Sequence, residues 1–177
     1  MATTYALPDF IADLDRITRD ESSPHVITEK VEPLLGRLIR NPAALPAEYR
    51  TRGPGGGRGR YMLHRTPRFN ITAVVWAPGD VAAAHNHDTW GVIGVIENRI
   101  EETRYRVTPD TPGHARLEVM RVMRHELGAI SRLVPGEKCT ACTIRRPTTP
   151  WRSTCTARTW SVSSGRRGAR TARKNGS

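Results

Sequence analysis

The sequence predicts a mainly β fold, in which one small β-barrel is preceded by helices and followed by a basic tail. Three observations predict it. Apolar residues recur at helical spacing up to about residue 40, the period shortens to two near residue 60, and short strand-like runs then follow one another between Pro- and Gly-containing turns. With 177 residues the chain is long enough to bury one core of ordinary size.

Residues 1–50 form the helical segment. Phe10, Ile11, Leu14 and Ile17 share one face of a first helix, with Asp9 placed as its N-cap. Ile27, Val31, Leu34, Leu35 and Leu38 share one face of a second, which Asn41-Pro42 stops. Both faces are expected to pack on one side of the barrel. Arg52-Gly53-Pro54-Gly55-Gly56-Gly57 reads as a connector. It lacks the lysine of a phosphate-binding loop, and no apolar strand precedes it.

Residues 51–137 form the barrel. Strands are expected over 60–64, 69–77, 81–85, 90–97, 100–107, 115–123 and 129–134. Pro78-Gly79-Asp80, Glu97-Asn98, Pro109–Gly113 and Pro135-Gly136 supply the turns. Short, evenly spaced strands favour closure into a barrel or sandwich.

Charge is distributed unevenly. The chain carries +11, yet all 17 acidic residues lie at or before Glu137 and balance 18 basic ones there. Residues 138–177 hold ten Lys+Arg and no acid. They are rich in Thr, Arg and Ser, contain no Leu or Phe, and read as a low-complexity tail without a core-forming pattern. No run of about 18 apolar residues exists to form a membrane helix. No basic-then-apolar leader opens the sequence, so the expected compartment is the cytoplasm. Cys139, Cys142 and Cys155 are odd in number and late in the chain, which does not suggest a disulfide framework.

The chemistry-bearing run is His85-Asn86-His87-Asp88. Residues i and i+2 of a strand point the same way, so His85 and His87 can offer two imidazole ligands to one transition metal. A Pro-Gly turn precedes them, and the apolar run Trp90-Gly91-Val92-Ile93-Gly94-Val95-Ile96 follows. This layout resembles the first metal-binding motif of cupins, and so implies a cupin-type double-stranded β-helix barrel. The Glu that many cupins place shortly after the histidines is absent from Asp88-Thr89-Trp90-Gly91.

A narrower resemblance rests on Phe69-Asn70-Ile71, on Trp76-Ala77-Pro78-Gly79 and on the stretch from His85 through Gly94. These residues are similar to those of bacterial members of the cysteine dioxygenase family of thiol dioxygenases. The resemblance covers roughly residues 58–137. It implies Fe(II) held by three histidines without a carboxylate, and a small thiol, cysteine or 3-mercaptopropionate, converted with O2 to its sulfinate. It also implies that Arg60 binds the substrate carboxylate, a role that the planar guanidinium suits.

The resemblance places a third histidine just after the turn Pro135-Gly136-Glu137, and no histidine follows Glu137. Cys139 stands close to that place, and a thiolate can ligate iron or zinc. A shifted reading frame is the second account of the tail. GC-rich codons written from Lys138 onward and read from the third base give Val-His-Gly-Leu-His-His, which restores a histidine after the turn. With His85 and His87 alone, metal binding is expected to be weak and activity low or absent. The alternatives are a non-catalytic metal-binding cupin, or nucleic-acid binding through the tail, which lacks any recognised module. Oligomeric state and the choice of thiol are left open.

The remaining polar residues are assigned structural places. His64 is expected to pack on its strand, and His25, His114 and His125 to be exposed. Trp90 is expected to wall the barrel. Glu101 and Glu102 are expected on a solvated strand surface.

Overall fold

A computed structural model describes residues 5–41, 43–77, 79–85, 87–110, 114–135, 139–143 and 157–164; in the last two stretches it describes the backbone, with side chains at Val162 and Ser163. Helix α1 spans Leu7–Asp20 and α2 spans Pro24–Ile39. Asp9 is not the N-cap of α1. The chain enters through Ala6, and the Asp9 carboxylate accepts the Ala6 backbone N–H at 2.9 Å. Pro8 explains the shift, since its fixed φ and missing N–H suit the first turn and draw the helix start ahead of it. Asn41 closes the end of α2, its N–H donating to the Leu38 carbonyl at 3.0 Å.

The strands are β1 (Gly59–Arg65), β2 (Phe69–Trp76), β3 (Gly91–Glu97), β4 (Ile100–Pro109), β5 (Ala115–His125), β6 (Ile130–Leu133), β7 (Cys139–Thr143) and β8 (Ala157–Ser164). They form two antiparallel sheets, a five-stranded one ordered β1-β2-β8-β3-β6 and a three-stranded one ordered β5-β4-β7. The expected strand at 81–85 does not form; only Val81 and His85 make isolated bridges. Three consecutive alanines offer little side chain to pack on a pleated surface. The Val81 carbonyl is instead engaged by the Arg58 guanidinium at 3.0 Å.

Two strands come from beyond Glu137, where the sequence reading ends the barrel. β8 lies between β2 and β3, with Val162 opposite both Ile71 and Val92. Val162 is fully buried. The residues of β8 include Thr, Trp and Val, whose side chains suit a strand without any Leu, Ile or Phe. Residues 144–156 and 165–177 lie outside the described residues.

The larger core lies between the helices and the five-stranded sheet. Phe10, Leu14, Val31, Leu35 and Leu38 pack there with Phe69, Ile71, Trp90, Val92 and Val162. Gly94 lets α2 approach β3, because a Cβ at that position would stand 3.2 Å from Ile39 Cδ1 and 3.3 Å from Leu35 Cδ2. A smaller cluster on the other face of the sheet joins Trp76, Val95 and Ile100, with Val74 and Ala82 against it.

Candidate functional site

His85 and His87 lie in the segment that connects β2 to β3. Their ring centroids are 4.6 Å apart, with the planes tilted by 57°. His85 is exposed, and its Nδ1 is 2.8 Å from the Ala83 carbonyl oxygen. A carbonyl only accepts, so Nδ1 carries a proton, and in the neutral ring Nε2 then keeps its lone pair. That is how a metal-ligating histidine is held in one tautomer and one orientation. His87 is half-buried. Burial of its ring, and then the neighbouring His85, hold its pKa below the usual 6.5, while Glu102 and Asp88 pull the other way. The balance favours the neutral imidazole, the form that binds metal.

Both glutamates expected on a solvated surface are buried, Glu101 at 8 % and Glu102 at 3 % exposure. The alternation of β4 gives the reason for Glu102. It shares a face with Ile100, and Ile100 belongs to the inner apolar cluster. Its carboxylate accepts hydrogen bonds from His125 Nε2 at 2.7 Å, Ser131 Oγ at 3.1 Å and Arg104 Nε at 3.1 Å. Burial alone would raise its pKa. The hydrogen bond from His125 and the Arg104 charge outweigh burial and hold it below the ordinary carboxylate value. Arg104 also donates to Ser131 Oγ at 3.2 Å. The network therefore ties β4 and β5 of one sheet to β6 of the other. It also corrects the expectation for His125, whose side chain is 14 % exposed. His25 and His114 are exposed as expected.

Arg60 lies on β1 opposite Val74, one of the residues packed against the Trp76–Val95–Ile100 cluster. Its side chain is exposed, so it stands open to solvent on that face. His64 does pack on its strand, its ring 5.5 Å from that of Phe69. Cys139 is the first residue of β7, and its backbone pairs with Tyr105, but its side chain lies outside the described residues. Asn86 and residues 136–138 lie outside them too.

The donor chemistry of His85 and His87 suits a first-row transition metal. Among the described residues no group of three His, Cys, Asp or Glu side chains is arranged to hold a metal ion. Glu102 is occupied by its three donors and is not spare for one. The described residues thus bring two imidazoles together and show no third donor beside them.

No protein-family model matches the chain. Among solved structures the chain is similar to an uncharacterized conserved protein with a double-stranded β-helix domain from Klebsiella pneumoniae. That match has 16% sequence identity and a TM-score of 0.50, and covers 71% of this chain and 87% of that one. The fold is a cupin-type double-stranded β-helix. KdgF from Halomonas sp. also matches, at 16% identity and a TM-score of 0.46 over 70% of this chain and 92% of that one. So does an RmlC-like cupin from Shewanella frigidimarina, at 15% identity and a TM-score of 0.44 over 72% and 93%. Identities this low speak to the fold alone. Among the described residues no helix is long and apolar enough to cross a membrane.

Proposed function

We propose that the protein is a metal-binding cupin of the thiol dioxygenase type, with His85 and His87 as two ligands of Fe(II). The observation that carries this reading is the pair itself. Two imidazoles lie 4.6 Å apart, and the Ala83 carbonyl holds one of them with Nε2 free. A bound ferrous ion would supply open positions at which a thiolate and O2 meet. The net reaction adds both oxygen atoms of O2 to the sulfur of a small thiolate and yields the sulfinate. Arg60 would pair with the carboxylate of cysteine or 3-mercaptopropionate and orient the thiol end inward. Cys139 is the candidate third ligand, and its thiolate would complete a His/His/Cys set.

The ligand count favours a second reading, a cupin that binds metal without turnover. The two readings separate in one experiment. The full chain is loaded anaerobically with Fe(II), and iron content is measured together with thiol-dependent O2 uptake and sulfinate formation. Iron well below one per chain, falling further in His85→Ala and His87→Ala, supports the site. Thiol-dependent sulfinate formation supports the enzyme, and iron bound without it supports the non-catalytic protein. Iron content unchanged in both variants overturns the site. The nucleotide sequence around codon 138 decides whether a shifted frame would restore a histidine after Glu137.

A further inference from the structure

Strand β5 runs for eleven residues at the end of its sheet and pairs only with β4 among the described residues. Its other edge, unpaired among the described residues, offers a row of backbone N–H and C=O groups, the usual template for joining a second chain. Leu117, Val119, Met120 and Val122 on this strand are 39–58 % exposed. Edge strands are commonly guarded by charged side chains, and those of β5 are of both signs.

The register explains how they can match. Arg104 pairs with Arg121 and Tyr105 with Val119, so Met120 is an extra residue, a bulge. The bulge offsets the alternation of side chains along β5. Glu118 and Arg121 therefore share one face although three positions apart, and Leu117 and Val122 share the other. Two copies of β5 laid antiparallel about a dyad between Val119 and Met120 bring Glu118 of each opposite Arg121 of the other. The same register sets Leu117 opposite Val122. Without the bulge it would oppose side chains from different faces.

Among the described residues the charges also lack strong alternatives. Arg121 stands across from Arg104, whose guanidinium is turned to Glu102 and Ser131. Among the described residues no carboxylate pairs with Arg121. Among the described residues Glu118 reaches only Arg106, at 3.6 Å and with both side chains largely exposed.

We propose that β5 is a self-complementary dimer edge, at which a second copy of this chain adds antiparallel and pairs Glu118 with Arg121 twice. This stands apart from the metal site. The three-stranded sheets of two copies would join into one continuous sheet, with Leu117 and Val122 as cross-strand contacts at its centre.

Sedimentation equilibrium of the full chain tests this. A concentration-dependent monomer–dimer equilibrium is expected, weakened about tenfold in Glu118→Arg and in Arg121→Glu. The double variant, with the charges exchanged, should dimerise to within about threefold of the parent. The two single variants mixed together should form a heterodimer, because one then carries two arginines and the other two glutamates. Thermal melts of each variant check that it folds. A monomer at every concentration overturns the proposal. So does a dimer indifferent to both single changes, or a failure of both the double variant and the mixture to associate.

Discussion

Replacing Glu102 by Gln keeps the shape of the side chain and removes its charge. The carboxylate side chain is 4 % exposed and accepts from His125, Ser131 and Arg104. A hydrogen bond to a charged group contributes about 1.5–3 kcal/mol net, and breaking a buried ion pair outright costs about 3–5 kcal/mol. Gln retains one oxygen acceptor but turns an N–H2 toward donors. Arg104, 28 % exposed, recovers part of its loss from water. The expected destabilisation is about 2–3 kcal/mol, or roughly 4–12 °C in Tm for a chain of this size. Urea denaturation with a second probe for cooperativity measures it. The pH dependence gives an independent check. Because the folded pKa is depressed, the contribution of Glu102 is fully present above its ordinary value of 4.5 and is lost as pH falls through the lowered folded value. The gap between parent and Glu102→Gln should therefore narrow under acid. A loss smaller than about 0.5 kcal/mol at neutral pH, or a gap that widens toward pH ~3, would refute the argument.

Other outcomes follow from the same geometry. Ser131→Ala removes one donor from Glu102 and should cost about 1 kcal/mol, less than Glu102→Gln, by the same denaturation assay. Leu35→Ala empties a fully buried position between α2 and the sheet and should cost about 2–5 kcal/mol. Gly94→Val would drive a side chain into Ile39 and Leu35 and should cost about 1–3 kcal/mol, with broadened amide spectra over α2. His87 has a folded pKa below 6.5, so the unfolded chain takes up that proton first. Stability should fall as pH drops below 6.5 in the metal-free parent and fall less steeply in His87→Asn.

Much of the fold is legible along the sequence because each surface there is one-sided. The helical faces of Phe10, Leu14 and Ile17 and of Ile27, Val31, Leu35 and Leu38 are the buried faces. The apolar run after Trp90 is the strand beneath them. The inner network is harder to read. Glu101 and Glu102 are adjacent and chemically identical, and only the β4 register and its partner strands show that Glu102 faces His125. His125 looks like an exposed strand end until β4 is placed beside it. The alternation Ile100, Glu102, Arg104 is the signal that could have found the carboxylate, since it puts an acid in line with a core isoleucine. β8 escapes a sequence reading for another reason. A search for Leu, Ile and Phe passes over a strand held by Val162 and by its two neighbours. His85 and His87 are visible at once because their spacing carries the chemistry, whatever the backbone between β2 and β3 does.

The place of β8 has a consequence for how the chain is made. Strands β2 and β3 do not pair with each other; both pair with β8, and Ser163 meets Asn70 across 93 positions of sequence. The strand at the centre of the sheet is thus, among the described strands, the last one synthesised. Until it arrives, a growing chain holds β2 and β3 with unpaired edges, a state open to aggregation and to chaperone capture. Closing so long a loop before its contacts form should also make the final step slow. A nonsense mutation shortly before Ala157 would leave the helices and most strands encoded, yet remove the piece that seals them, so early degradation is the fate to expect for such a fragment.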